Sequence, residues 1–158
     1  MAKLIAAINM TLDGYCDHTA GIADDEIHQH FTELVNSADT ILYGRITYQL
    51  MEYWRPFAEH PTGVESHDEF AIAIDKISKV VFSRTLKAVD WKNTELKNEI
   101  VKEEILELKQ RSERDILVGS PSLIVAMTQL GLIDEFQPVI QPIILGSGLP
   151  LFKNINDR

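Results

Sequence analysis

Several short polar loops in this chain carry side chains suited to holding an anionic ligand. Gly44-Arg45-Ile46-Thr47-Tyr48 joins a glycine, where backbone can approach a ligand closely, to an arginine and a hydroxyl beside a predicted helix start. The free N–H groups of such a start favour phosphate. The same residues could equally end a strand and pair Arg45 with a surface acid. Ser83-Arg84-Thr85 repeats the pattern, and Arg84 suits the 2′-phosphate that separates NADP from NAD, or is an ordinary surface residue. In Gly119-Ser120-Pro121-Ser122, Ser120 is placed to cap a helix, to expose N–H groups to a pyrophosphate, or to do both. Gly146-Ser147-Gly148 could lay backbone against a ligand or form a plain turn.

Asp13, followed by Gly14, comes just after the first apolar run. It could accept a ligand hydrogen bond or help deliver a proton, or it could form an Asp-Gly turn. Asn9 could bond a ligand or its own backbone. Tyr53-Trp54 ahead of Arg55-Pro56-Phe57 could wall a ring-binding pocket, or pack a core or a dimer. His28 and His30, two apart on a predicted helix, point to different faces, which is poor metal geometry, and read as solvent-facing. His18, His60 and His67 are isolated. Cys16, the single cysteine, has no evident base or pairing partner, and no CxxC, GxSxG or P-loop lysine motif occurs. These absences argue against a metal site, a disulfide and nucleophilic catalysis.

The elements that must position these loops alternate in type. Short apolar runs at Leu4–Ile8, Thr40–Gly44, Lys79–Ser83 and Ile116–Gly119 read as strands buried on both faces. Between them lie helical stretches: from Asp24 with an apolar stripe at Ile27, Phe31, Leu34 and Val35, from Ile46 to about Tyr53, from His67 to Ile77, and from Asn98 to Arg114. Pro121 at the first position and Gly131 at the end bound a further helix. Glu135–Leu145 reads as extended, its Pro138 and Pro142 marking an edge or the ends of pairing. Alternation of this kind predicts one α/β domain, a three-layer sandwich around a mostly parallel sheet, whose ligand lies at the strand carboxyl ends.

The 158 residues leave room for one domain, and 45% hydrophobic with 25% charged residues is ordinary globular composition. A net charge of −9 argues against nonspecific nucleic-acid or anionic-membrane binding. Neither a signal segment nor a membrane-length apolar window is present, and with one cysteine this predicts a cytoplasmic protein.

Five blocks, in order, resemble the dihydrofolate reductase-like fold, and within it the reductase domain of riboflavin biosynthesis (RibD C-terminal domain). They are NMTLDGY (Asn9–Tyr15), ILYGRITY (Ile41–Tyr48), KVVFSRTL (Lys79–Leu86), ILVGSPSLIVAMTQLGLIDEF (Ile116–Phe136) and PIILGSGLPLF (Pro142–Phe152). The resemblance implies an NADPH-dependent reductase of a small pteridine- or aminopyrimidine-like substrate, working as a homodimer. The nicotinamide would lie near Ala7, Asp13 and Gly14, and Asp13 would be the catalytic acid. Gly44, Arg45 and Thr47 would contact phosphates, Ser83 and Arg84 the 2′-phosphate end, and Gly119 and Ser120 the pyrophosphate. Gly146 and Gly148 would lie along the cofactor, and Asn9 and Trp54 would face the substrate.

Three departures qualify the resemblance. Gly119-Ser120 stands where the family usually has Gly-Gly. The first-helix acid of dihydrofolate reductases would fall near His28, with Asp25 and Glu26 out of register, which counts against dihydrofolate as substrate. The 158 residues do not include the zinc deaminase domain that accompanies the riboflavin enzyme. Family members also continue beyond the PLF block into further strands, so residues 1–158 are expected to form a single domain lacking its last strands. A non-catalytic nucleotide-binding or sensory module that keeps the cofactor site is the alternative reading.

Overall fold

The computed structural model of the protein describes residues 1–17 and 24–153; His18 lies outside them. Six strands form one sheet: β1 (Leu4–Thr11), β2 (Ala38–Gly44), β3 (Ser78–Phe82), β4 (Thr94–Lys97), β5 (Asp115–Val118) and β6 (Glu135–Gln141). Their order is β4-β3-β2-β5-β1-β6, and every pairing is parallel rather than most of them. β4 has no apolar run in its sequence, TELK, and is a strand because its backbone completes the exposed edge of β3. β6 ends at Gln141, short of the extended segment expected to reach Leu145; Pro138 is accommodated because β6 is itself an edge.

Alternation along β1 divides the core in two. Leu4 and Ala6 pack with Ile105, Leu108, Leu123 and Met127, from α4 (Lys102–Arg111) and α5 (Pro121–Gln129). Ile5 packs the other way, with Val35, Phe70 and Ile74 from α1 (Asp25–Asn36) and α3 (Glu65–Lys76). The result is the expected three-layer sandwich. The helix predicted from Ile46 is α2 (Arg45–Met51), which runs into a 3-10 turn at Glu52–Ala58. α4 is shorter than its predicted Asn98–Arg114, since Val101 and Ser112 are already extended at its two ends.

Polar groups complete the helix ends. Asp24 Oδ1 accepts from the Ile27 amide at 2.9 Å, which caps α1. Lys79 is a β3 residue only 1% exposed, yet its Nζ donates to the carbonyls of Ile74 (2.6 Å) and Ile77 (2.9 Å) at the negative end of α3. Among the described residues, no helix is long and apolar enough to cross a membrane.

The connections place the ligand crevice. From β1 the chain leaves over one face through α1 to β2; from the neighbouring β5 it leaves over the other face through α5 to β6. Loops that diverge from adjacent parallel strands open a cleft at their carboxyl ends.

Candidate functional site

A cavity of about 810 Å³ opens at these strand ends, lined from one face by α1 and from the other by α5. Its strand-derived wall holds Ala7 and Asn9 from β1, Tyr43 from β2, and Gly119 just after β5. Ile5 and Asn9 are four residues apart on one strand, so they share the face that carries α1 and α3. Of the residues predicted for the site, Ala7, Asn9, Thr47, Trp54 and Gly119 line this cavity together.

Asn9 ends in a polar atom with an unmet need. Its Oδ1 is buried without a hydrogen-bond partner. An orphaned acceptor carries a desolvation cost that a ligand N–H would remove. Gly119 sits close under Tyr43: a Cβ there would come to 3.0 Å from the ring, which would have to shift to admit it.

The edge expected to meet anions is built by two neighbouring strands. Gly44 pairs in register with Phe82, so Arg45 and Arg84 leave the sheet at the same end, one and two residues beyond paired positions. Both arginines are exposed, and Arg45 Nη1 reaches Gln49 Oε1 at 3.2 Å. α2 and α5 begin without a side-chain cap, which leaves their first N–H groups available to a ligand.

Ser120 departs from the capping role considered for it. It occupies the N-cap position of α5, but its Oγ accepts from the Gly44 amide at 2.7 Å, a buried bond that ties the end of β2 to the start of α5. The Gly44 amide is therefore spent within the protein. Ser83 is committed in the same way, because its Oγ accepts from the amides of Thr85 (3.1 Å) and Leu86 (3.0 Å) and shapes the turn that displays Arg84.

Asp13 is also held by groups of the protein. Its carboxylate accepts from Thr11 Oγ1 at 2.7 Å and from the amides of Gly146 (2.8 Å) and Leu145 (3.1 Å). The Thr11 hydroxyl, with these amides, holds its pKa down to about 2. A carboxyl so acidic carries no proton to deliver near neutrality. Asp13 joins the β1 turn, which contains Gly14, to the Gly146–Gly148 loop. Asp17 acts beside it: its Oδ2 accepts from the Leu149 amide at 2.6 Å. Gly148, at φ +141°, has no room for a side chain against Asp17. Asp13, Gly14, Gly146 and Gly148 are thus brought together, next to the cavity rather than in its wall.

Two histidines require correction. His28 does not face solvent; it lines the cavity, and its ring lies 5.4 Å from Trp54, 4.7 Å from His67 and 5.9 Å from Phe70. His67, isolated in sequence, is therefore its neighbour. The signal was present in the helical line His28, Thr32, Val35, whose last two members are buried. His30 is exposed as expected. Burial, and then the nearby His67, hold the His28 imidazole below its ordinary pKa. Cys16 also lines the cavity; burial pushes its thiol up, away from nucleophilic use.

Known proteins show the same architecture. The chain is 36% identical over 160 residues to the uncharacterized protein YyaP of Bacillus subtilis (strain 168), spanning 99% of this chain and 83% of YyaP. A Shewanella sp. PV-4 protein ascribed to riboflavin biosynthesis superposes with a TM-score of 0.73 at 20% identity, covering all of this chain and 86% of that one. Dihydrofolate reductase from Enterococcus faecalis, complexed with NADP(H) and RAB-propyl, superposes with a TM-score of 0.63 at 14% identity, covering 98% and 79%. These likenesses establish the dihydrofolate reductase-like fold. With residues 2–158 matching the description of the RibD C-terminal domain, the chain belongs to that family.

Proposed function

We propose that the protein is an NADPH-dependent reductase of a small planar heterocycle of the pteridine or aminopyrimidine kind. The observation that carries this reading is an aromatic-walled cavity at the strand ends, beside the sheet end from which two exposed arginines leave. At one edge, Arg45 and Arg84 flank the uncapped start of α2. Deeper in, the wall is aromatic, with Phe31, Trp54 and Phe70 around a few polar heads. The first suits phosphates and the second suits a flat ring.

NADPH, when bound, supplies the hydride. The chain's own residues supply position, which is where most of the rate advantage arises. Arg84 is offered to the 2′-phosphate and Arg45 to the phosphates nearer the ring. Gly119 and the open N-terminus of α5 meet the pyrophosphate. Asn9 Oδ1 takes an amide or amino N–H, and the aromatic wall keeps water from the reacting faces. The proton comes from water, since Asp13 is engaged as a clamp.

The test is a fluorescence titration with NADPH and NADH on the wild type and on Arg84→Ala. We expect micromolar NADPH binding that weakens about tenfold in the variant, about 1.4 kcal/mol, with NADH binding unchanged. Failure of the intact chain to bind either nucleotide overturns the proposal. The engaged state of Asp13 favours one second reading, a nucleotide-binding module without turnover. Stoichiometric NADPH binding without consumption across pteridine and aminopyrimidine panels supports that reading.

A further inference from the structure

We propose that His28 is the specificity-determining residue of the cavity, selecting a flat heteroaromatic substrate that carries an anionic group and contacting that group through its imidazole. The inference rests on the reductase reading for the word substrate, but its argument is the cavity's own. α1 contributes Ile27, His28, Phe31, Leu34 and Val35 to the wall, and His28 is the polar side chain among them.

None of the acids that open α1 lines the cavity, and Glu26 is exposed. Asp24 caps the helix through Ile27, and Asp25 Oδ1 accepts from Ser66 Oγ of α3 at 2.7 Å. Two other charged side chains line the wall: Asp17, whose carboxylate is held by the Leu149 amide, and the exposed Lys153, which is unchanged in His28→Asn. The polar head that α1 presents to a ring lying against Trp54 and Phe70 is therefore an imidazole and not a carboxylate. A carboxylate there would select a ring offering a pair of donors. An imidazole donates to an acceptor and, once protonated, pairs with an anion.

The surroundings of His28 make that pairing depend on proton uptake. Trp54 packs on it from the 3-10 turn; His67 and Phe70 pack on it from α3. Of the charged or titratable groups that act on it, His67 opposes its protonation, while Asp25 and Asp24 on its own helix favour it. Burial outweighs the two acids, so the ring rests neutral, and an anion placed against it in the cavity reverses the balance.

The experiment compares quinoline-3-carboxylate with the isosteric quinoline-3-carboxamide by isothermal titration calorimetry on the full chain. Buffers of different ionisation enthalpy report the protons taken up. At about pH 6 the carboxylate should bind about tenfold more tightly than the amide, a preference that shrinks toward about pH 8. Near pH 7.5 its binding should draw in up to about one proton. His28→Asn should abolish both the preference and the uptake. His67→Phe, which keeps a ring beside His28 without its charge, should carry the preference to higher pH.

Equal affinity for the two probes, no binding of either, or an unchanged ratio and proton count in His28→Asn each overturns the assignment. NADPH titration of the same His28→Asn sample separates the two ideas. Normal NADPH binding with no anion preference in the wild type defeats this inference alone; anion preference without NADPH binding defeats the reductase reading alone.

Discussion

Asp13 shows how a residue's chemistry is set by what its neighbours ask of it. Its carboxylate satisfies the Thr11 hydroxyl two residues away and two backbone amides 132 and 133 residues away in sequence, and is ionised in consequence. Because its folded pKa, about 2, lies below the usual carboxylate value of 3.8, its stabilising effect is fully present above that value. The effect is lost as pH falls from 3.8 toward 2. Asp13→Asn should therefore lower the melting temperature at neutral pH by calorimetry, with the gap from wild type closing over that acid window. Any turnover the variant retains should keep the pH profile of the wild type, because the group supplies order rather than a proton. A profile that loses one limb in Asp13→Asn would restore it as an acid.

At the scale of elements, the strand ends are tied to one another by side chains that a motif reading assigns to ligand. Ser120 is the clearest case, since its hydroxyl closes the gap between β2 and α5 by accepting the buried Gly44 amide. Ser120→Ala leaves that amide without an acceptor, and should cost about 1–3 kcal/mol in denaturant unfolding. Nucleotide affinity should fall as well, because the starts of α2 and α5 lose their mutual alignment. An unchanged midpoint would mean that water replaces the hydroxyl. Lys79 does similar work at the opposite end of the sheet, where its ammonium gathers carbonyls from the close of α3.

For the whole molecule, the contrast between the two sheet edges governs association. At β4 the edge is charged, with Lys97 paired to Glu104 at 3.1 Å and Glu95 close by. Strands defended in this way resist pairing with other chains. The β6 edge exposes Phe136 (45%) and Ile140 (48%), and Phe152 packs edge-on to Phe136 at 5.9 Å. We propose this edge as the seam of the expected homodimer. Sedimentation of the wild type should show a dimer that Phe136→Lys combined with Ile140→Lys converts to monomer without loss of helical signal. A wild-type monomer at all concentrations removes the dimer.

The layer architecture was legible in the residues alone, as was the end of the sheet where the cavity opens. Apolar runs long enough for buried strands, such as Leu4–Ile8 and Ile116–Val118, alternate with an amphipathic period, and that alternation has one compact solution, a parallel sheet covered on both faces. Strand-end loops of parallel sheets converge, which put Asn9, Thr47 and Gly119 in the cavity wall; Trp54 was legible as part of an aromatic cluster, and Ala7 through the family resemblance. Tertiary structure decided the rest. TELK became β4 because β3 had an open edge, which no local propensity records. His28 entered the cavity because the packing of α1 against α3 sets the rotation of the helix, and a histidine beside an apolar stripe falls inside or outside by that angle. Asp13, Ser83 and Ser120 took structural partners because a polar side chain bonds the nearest unsatisfied group in space, and for Asp13 and Ser120 that group lies far away in sequence.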